Sequence, residues 1–354
     1  MAGKWVRLQF SRTQIDKAGK ALVENNISPL ERIEILNTIN NWRSSHSYPL
    51  HLAIKNLQKK ANKISSHAIT ARRLKRLTSI ILKLKRNPTM KLTQMQDIGG
   101  CRAIMPTIFE VNQLIAQYNR ASKKFDSAST RTEIIEQYDY ISQPKTDGYR
   151  SYHLVTRYRS NVPEKQAYDG MRIEIQIRSQ LQHAWATAVE TISTFTDQAL
   201  KSGLGDERWK RFFALMASLL ALREGCPVVP NTPSEKKELT EEVKKLYREL
   251  QVEIVLMGIS AVVPMAQERI TDAEAYLLVL DTTRLTLEVK SFSEKERANA
   301  AAEYLRVEEQ YVNDPTVQAV LVSVDSLASL QNAYPNYYLD THDFLEAVRI
   351  AIAD

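Results

Sequence analysis

The chain has 354 residues, of which 44% are hydrophobic and 25% are charged, with a net charge of +7 at pH 7. That length allows two domains with their own cores, and that composition is typical of globular proteins rather than of disordered or collagen-like chains. No apolar run approaches the roughly 18 residues that cross a bilayer, and the first residues do not form a secretion signal. The two cysteines, Cys101 and Cys226, have no metal-ligand spacing, which argues against a disulfide framework or a zinc site and favours the cytoplasm.

The positive charge is concentrated in one part of the chain. Between Glu34 and Asp97 there are thirteen Lys or Arg residues and no Asp or Glu. A block of this kind favours a polyanionic partner, such as nucleotide phosphates, RNA or an acidic protein surface. A solvated helix face is the alternative interpretation.

The N-terminal segment is predicted to be mainly helical. We expect a short edge strand over residues 5–10 and, from the spacing of its apolar residues, a helix over 13–23. The sequence Ser28-Pro29-Leu30-Glu31 is typical of a capping box with proline at the first helical position. The helix that it begins is followed by a break, where we expect Arg43 and His46 to hold the helix junction.

Two basic segments follow. Arg73 and Lys75 alternate as on a strand or another extended segment, whereas from Ser79 onward the pattern is helical. On that helix Lys83 and Arg86 lie three residues apart and share a face. A helix of this kind can contact two points of a triphosphate at once.

Asp97 precedes a predicted strand over residues 101–105, and two glycines between them allow a ligand or another backbone to approach closely. Mg²⁺ in proteins takes one or two carboxylates together with phosphate oxygens, so Asp97 suits a metal site. By itself, however, a single aspartate at this position is better explained as a turn or cap residue. The metal interpretation needs a second carboxylate.

An aromatic and basic turn lies beyond a predicted helix over residues 109–123 and a predicted strand over residues 132–140. The sequence Pro144-Lys145-Thr146-Asp147-Gly148 is a turn by composition. Just after it, Tyr149 and His153 lie four residues apart.

The predicted strand over residues 172–178 alternates strictly between isoleucines and polar residues. The polar residues that share its second face are Arg172, Glu174, Gln176 and Arg178. Four polar side chains on one face of a strand indicate a cleft, and Glu174 is the candidate partner carboxylate for Asp97. The helix predicted over residues 182–195 carries His183 near its start, either as a structural histidine or as part of the site.

The C-terminal part predicts further helices and a separate module. We expect a helix over residues 205–223, a proline-rich linker over 227–233 and a long helix over 240–257. Beyond residue 271 we predict strands over 276–281, 285–292, 317–324 and near 337–339, and helices over 293–312, 326–333 and 341–352. The predicted segments are a domain with N-terminal helices over 1–225, a linker and long helix over 226–270, and an α/β module over 271–354.

Together, these residues resemble the synthetase domain of the RelA/SpoT family of alarmone synthetases. The resemblance covers roughly residues 40–195 and rests on blocks in the family's order: Arg73-x-Lys75, Ser79-Ile80-x-x-Lys83-x-x-Arg86, Asp97-Ile98-x-Gly100-x-Arg102, Pro144-Lys145-x-x-Gly148-Tyr149-Arg150-Ser151-x-His153 and Glu174-Ile175-Gln176-Ile177-Arg178. It implies an α+β fold in which helices flank a mixed β-sheet, related to the nucleotidyltransferase fold. The smaller C-terminal α/β module lies outside the resemblance.

The resemblance also implies an activity. Members of the family transfer the β,γ-pyrophosphate of ATP to the 3′-hydroxyl of GDP or GTP, which yields (p)ppGpp and AMP. The expected partners are therefore ATP and a guanine nucleotide, with Mg²⁺ as cofactor, no membrane and a homo-oligomeric assembly. Because the long enzymes' His-Asp hydrolase domain has no counterpart in the sequence, we do not expect hydrolysis of the product.

Each family role falls on a residue of this chain. By resemblance, Asp97 and Glu174 would hold Mg²⁺ and form the catalytic pair, with Glu174 taking the proton of the attacking hydroxyl. The ATP-binding residues would be Arg73, Lys75, Lys83, Arg86 and Arg102. The acceptor-binding residues would be Lys145, Tyr149, His153, Gln176 and His183.

Two other functions remain open. The first is a toxin that pyrophosphorylates the 3′-CCA end of tRNA and is restrained by its C-terminal module, which the basic block and the unassigned module favour. Tyr149, His153 and Gln176 favour a free nucleotide as the acceptor instead. The second is a non-catalytic RNA-binding protein, against which the presence of both Asp97 and Glu174 argues.

Overall fold

A computed structural model gives the structure of the chain. It describes residues 5–24, 27–122, 130–199, 206–250, 252–253, 256, 275–281, 284, 286–293, 296–311, 314, 317–322 and 342–353. Within these ranges no helix combines the length and the apolar character needed to span a membrane.

Three helices open the chain: α1 (Arg12–Ala21), α2 (Pro29–Ser45) and α3 (Ser47–Asn62). The predicted capping box begins α2, because the Ser28 hydroxyl accepts from the amide of Glu31 and the Glu31 carboxylate accepts from the amide of Ser28. The predicted strand over residues 5–10 is wrong, since this segment is not a strand. Its backbone is held by α2 instead: Asn41 accepts from the Gln9 amide and donates to the Arg7 carbonyl.

A mixed β-sheet forms the centre of the molecule, which confirms the predicted fold class. Its strands are β1 (Ile69–Leu74), β2 (Gly99–Met105), β3 (Thr130–Asp139), β4 (Tyr152–Ser160) and β5 (Arg172–Ser179). The spatial order is β1-β2-β5-β4-β3, in which β2 and β5 are parallel and the other neighbours are antiparallel.

The two faces of the sheet differ in polarity. Ile173, Ile175 and Ile177 of β5 are buried in a cluster with α3 and with α5 (Ile108–Ser122). The alternate residues of β5 must then point to the opposite face. The predicted division of this strand into a core face and a polar face is therefore correct, and the polar face is available to form a cleft.

The remaining helices of this part of the chain are α4 (Leu77–Arg86), which follows β1, and α6 (Gln180–Ala199), α7 (Asp206–Arg223) and α8 (Lys236–Glu249). The helix predicted over residues 240–257 is wrong in its bounds: α8 begins at Lys236 and ends at Glu249, and residues 252, 253 and 256, which are also helical, lie beyond that end. Buried side chains of α6, α7 and α8 form one cluster.

The C-terminal part contains a second, antiparallel sheet of three strands in the order β7-β6-β8. Its elements are β6 (Ala275–Asp281), β7 (Thr286–Phe292), β8 (Val317–Val322) and the helix α9 (Arg297–Gln310), which packs on the sheet. The elements predicted over residues 326–333 and 337–339 lie outside the described residues.

The final helix, α10 (His342–Ala353), packs against α6, α7 and α8, with Phe344 beside Phe212 and Phe213. Helix α10 belongs to the predicted module 271–354. It nevertheless shares a core with α6 and α7 of the predicted domain 1–225 and with α8 of the predicted segment 226–270. The predicted boundaries at residues 225 and 270 stay a prediction.

Candidate active site

One cleft lies on the polar face of the main sheet, across β1, β2 and β5. Its lining residues are Ala71, Arg73, Lys75, Asp97, Gly100, Cys101, Arg102, Glu174 and Gln176. The strand register explains this grouping, since Gly100 pairs with Arg73 on one side and with Glu174 on the other. The floor between those two side chains carries no side chain of its own. The structure therefore brings together both predicted metal-binding carboxylates and three of the predicted ATP-binding residues.

Asp97 lies between two of the predicted ATP-binding lysines. Lys75 Nζ is 2.7 Å from one carboxylate oxygen and Lys83 Nζ is 2.9 Å from the other. Burial raises the pKa of Asp97, but the charges and hydrogen bonds of the two lysines outweigh it, so the pKa lies below its ordinary value. Asp97 is therefore ionised at neutral pH and neutralised by its neighbours.

Lys75 responds in the opposite sense. Its burial lowers its pKa, with the charges of Lys83 and Arg73 acting in the same direction, and Asp97 only partly compensates. Burial is the largest of these effects on the pKa of Lys75, and the neighbouring cations add to it. An added polyanion would relieve the repulsion among these cations.

Glu174 is held by two neighbours on the other side of the cleft. His153 Nδ1 lies 3.0 Å from one of its carboxylate oxygens, and the Gln176 amide donates to the other at 2.9 Å. Burial raises the pKa of Glu174, but the hydrogen bond and charge of His153 outweigh it, and the net pKa is below its ordinary value. Glu174 is thus a carboxylate at neutral pH.

A hydrogen-bonded chain leads from Glu174 to the predicted acceptor residues. His153 Nε2 lies 2.8 Å from the hydroxyl of Tyr149. A neutral imidazole with its proton on Nδ1 would donate to Glu174 and accept from Tyr149, whereas a charged imidazole would donate to both. The orientation of Glu174 is therefore coupled to that of Tyr149.

The turn before Tyr149 is fixed by its glycine and its aspartate. Gly148 has φ +95° and lies so close to Trp185 that an added Cβ would come within 2.8 Å of the indole ring, so only glycine fits there. The Asp147 carboxylate accepts from the amide of Tyr149 at 2.9 Å. The turn composition recognised in the sequence thus presents Lys145 and Tyr149 together.

Three tyrosines and Lys145 form an aromatic platform beside this turn, which we define as Tyr138, Tyr140, Lys145 and Tyr149. The rings of Tyr138 and Tyr140 are nearly parallel, with centroids 6.0 Å apart. Lys145 Nζ lies 4.5 Å from the centroid of Tyr140 and 5.3 Å from that of Tyr149. Sequence reasoning missed Tyr138 and Tyr140 as site residues, although their alternation at the end of a strand that leads into the turn was a usable signal.

Two predicted site residues lie apart from these groups. Arg86 is exposed on the last turn of α4. His183 is only 9% exposed, on α6. Neither lines the cleft formed by the described residues. Arg178, which was predicted to share the polar face, donates to the Gln176 side chain at 2.9 Å.

Comparison with known proteins shows which proteins this part of the chain resembles. The family model for the region found in RelA and SpoT proteins matches residues 72–198. Residues 72–198 are thus similar to the region shared by RelA and SpoT proteins. The matched range runs from β1 through α6 and contains both carboxylates and the aromatic platform.

Two curated relatives come from Bacillus subtilis (strain 168). GTP pyrophosphokinase YjbM is 32% identical over 123 residues, which are 34% of this chain and 54% of that protein. GTP pyrophosphokinase YwaC is 30% identical over 143 residues, which are 39% of this chain and 63% of that protein. The chain thus spans between half and two thirds of the length of these relatives.

Solved structures with similar chains include small alarmone synthetase 1 from Bacillus subtilis, at 26% identity and a TM-score of 0.39, covering 60% of this chain and 98% of that one. The same enzyme bound to its product pppGpp has 24% identity and a TM-score of 0.37, covering 59% and 97%. The expected homo-oligomer and cytoplasmic location stay predictions.

Proposed function

We propose that this protein transfers the β,γ-pyrophosphate of ATP to the 3′-hydroxyl of GDP or GTP, which yields ppGpp or pppGpp and AMP. The observation that carries the proposal is the placement of Asp97 and Glu174 in one cleft, with lysines on one side and an aromatic platform on the other. The RelA/SpoT match and the two relatives named as GTP pyrophosphokinases support the same reaction class.

The donor side of the cleft suits a triphosphate. Lys75 and Lys83 already contact a carboxylate, and the phosphate oxygens of ATP offer them a stronger anionic partner. Arg73 and Arg102, on neighbouring strands of the cleft, are the residues proposed to hold the adenine. Positioning and charge stabilisation of this kind supply most of the catalysis in phosphoryl-type transfers.

The residues present fit a bound Mg²⁺. Asp97 and Glu174 are the two carboxylates of the cleft, with side chains 22% and 17% exposed, and both are ionised at neutral pH. Within the described residues there is no group of three or more His, Cys, Asp or Glu side chains that could enclose a metal. Mg²⁺ is commonly held by one or two carboxylates and substrate phosphates, and when bound it would neutralise developing phosphate charge.

The acceptor side supplies the nucleophile. The guanine base would stack on the aromatic platform, since base–aromatic stacking is strong and tolerates different orientations. The 3′-oxygen would attack the β-phosphorus of ATP as the bond to the α-phosphate oxygen breaks, so that AMP leaves. Glu174 would accept the proton of the 3′-hydroxyl while His153 and Gln176 hold its carboxylate.

Incubation with ATP labelled in the γ-phosphate tests the proposal directly. Each reaction contains Mg²⁺ and one acceptor: GDP, GTP or deacylated tRNA. We expect label on a guanine nucleotide together with an equal amount of AMP. Label on tRNA would instead establish the toxin-type activity, and the absence of AMP with every acceptor would overturn pyrophosphate transfer altogether. The Glu174→Gln variant is the control for contaminating kinases.

A further inference from the structure

A buried ion pair joins the C-terminal module to α2 in the N-terminal part of the chain. Arg43 on α2 is 1% exposed and Glu308 on α9 is 6% exposed, and Arg43 Nη1 lies 2.8 Å from Glu308 Oε2. Arg43 also donates to the hydroxyl of Tyr304 at 2.6 Å. Burial lowers the pKa of Arg43, but Glu308 and Tyr304 outweigh it and hold the pKa above its ordinary value. Arg43 was predicted to hold the junction between α2 and α3. It also contacts the C-terminal module.

The same pair holds the segment that carries the proposed ATP ligands. Arg43 Nε donates to the backbone carbonyl of Lys75 at 3.0 Å. Glu308 Oε1 accepts from the backbone amide of Leu77, the first residue of α4, at 2.9 Å across 231 residues of sequence. The N-cap residue of α4, Arg76, makes no capping hydrogen bond with its side chain. Glu308 therefore supplies from another part of the chain the cap that α4 lacks locally.

A carboxylate at a helix N-terminus is also favoured by the helix dipole. Here it fixes a helix whose second turn carries Lys83, while Arg43 fixes the carbonyl of Lys75. Both lysines contact Asp97. A shift of residues 75–83 would therefore move both lysines away from the cleft in which we propose that ATP binds.

The ion pair supports the cleft without occupying it. The described residues that line the cleft all belong to β1, β2, β5 and the segments that follow β1 or precede β2. Beside them, β8 at the edge of the small sheet lies against β1 at the edge of the main sheet. The described part of the C-terminal module therefore contacts β1, the strand that carries Arg73.

We propose that Glu308, acting through Arg43 and the N-terminus of α4, is a positioning residue for the ATP side of the site. The C-terminal module then completes the donor half of the enzyme instead of blocking it. This inference rests on the proposed function, because it assigns Lys75 and Lys83 to ATP.

The Glu308→Ala variant of the full chain tests the proposal. We expect KM for ATP to rise between about 2- and 30-fold, the range found for residues that act through a neighbour, with KM for the guanine nucleotide unchanged. Hydrogen exchange should also become faster at the amides of residues 77–80, which depend on this cap. If Glu308→Ala does not fold, Glu308→Gln takes its place, since its amide oxygen still accepts from Leu77 while the charge opposite Arg43 is lost.

Glu303→Ala is the matched control. Glu303 lies on the same helix and loses ion pairs to Lys290 and Arg306, but these pairs are more exposed and stay within the module. It should leave KM for ATP and the exchange of residues 77–80 unchanged. Equal KM for ATP in the Glu308 variant and the wild type, or equal rises in both KM values, would overturn the positioning role. An inactive wild type would refute the proposed function instead, and exchange at residues 77–80 would still test the cap.

Discussion

The donor and acceptor halves of the proposed site are built in opposite ways. The donor half, which we define as Arg73, Lys75, Lys83, Asp97 and Arg102, is a set of charges in which Asp97 neutralises two lysines. The acceptor half consists of the aromatic platform and His153, and its outermost ring, Tyr138, is 37% exposed. Nucleotide binding must therefore exchange existing ion pairs in the donor half, whereas it only covers rings that are already in place in the acceptor half.

The halves also differ in how they are supported. The acceptor half comes from one continuous stretch, residues 138–153, and its turn is fixed by Asp147 within that stretch and by the packing of Gly148 against Trp185. The donor half depends on Arg43 and Glu308, which lie far from it in sequence. Loss of the pair formed by Arg43 and Glu308 should therefore weaken ATP binding more than acceptor binding.

Glu174 lies where the halves meet, so its substitution should have the largest effect. We expect Glu174→Gln to lower the transfer rate by about 10²- to 10⁴-fold, the usual contribution of a general base, while the thermal unfolding midpoint changes little. AMP release and circular dichroism measure the two quantities. Wild-type-like activity in the purified variant would refute the role of Glu174.

The pH dependence of transfer follows from the same residue. Because the pKa of Glu174 lies below its ordinary value of 4.5, the carboxylate persists as the pH falls through that value and is lost only below it. Glu174 should therefore not limit transfer between pH 7 and 5.

Asp97→Asn separates metal binding from phosphate binding within the donor half. We expect transfer to fall by about 10²- to 10³-fold, as for loss of one charged stabilising group, because Mg²⁺ loses a ligand. Binding of ATP without Mg²⁺ should be retained or improved, since Lys75 and Lys83 no longer have a competing anion. Calorimetry with EDTA and with Mg²⁺ measures both. A variant that fails to bind metal-free ATP would contradict this account of the donor half.

The contrast between the halves also explains what the sequence could predict. Local patterns were sufficient for the capping box at Ser28, the alternation of β5 and the turn at Gly148, because each depends on neighbours a few residues apart. The contact between Glu308 and Leu77 spans 231 residues, and no local sequence pattern predicts a contact over that distance. The erroneous strand over residues 5–10 has the same cause, since its partner is the side chain of Asn41 rather than another strand.

Tyr149→Ala tests whether the acceptor half is a stacking surface. Removing the ring on which the base stacks should raise KM for the guanine nucleotide by about 5- to 150-fold. KM for ATP should not change. Tyr149→Phe keeps the ring but loses the hydrogen bond to His153, so it should raise that KM far less. Equal effects of the two substitutions would show that the hydroxyl, and not the ring, binds the acceptor.

Arg86→Ala should have the smallest effect and defines where the donor half ends. Arg86 is exposed at the end of α4, so any contact it makes with the triphosphate is made in water and screened by salt. We expect a rise of about 1.5- to 5-fold in KM for ATP, as for exposed ion pairs, that disappears at high ionic strength. Lys83→Ala, one turn earlier and in contact with Asp97, should raise the same KM more and keep its effect in salt. If the two substitutions were equivalent, the triphosphate would extend along α4 toward solvent, and the donor half would include the whole exposed face of this helix.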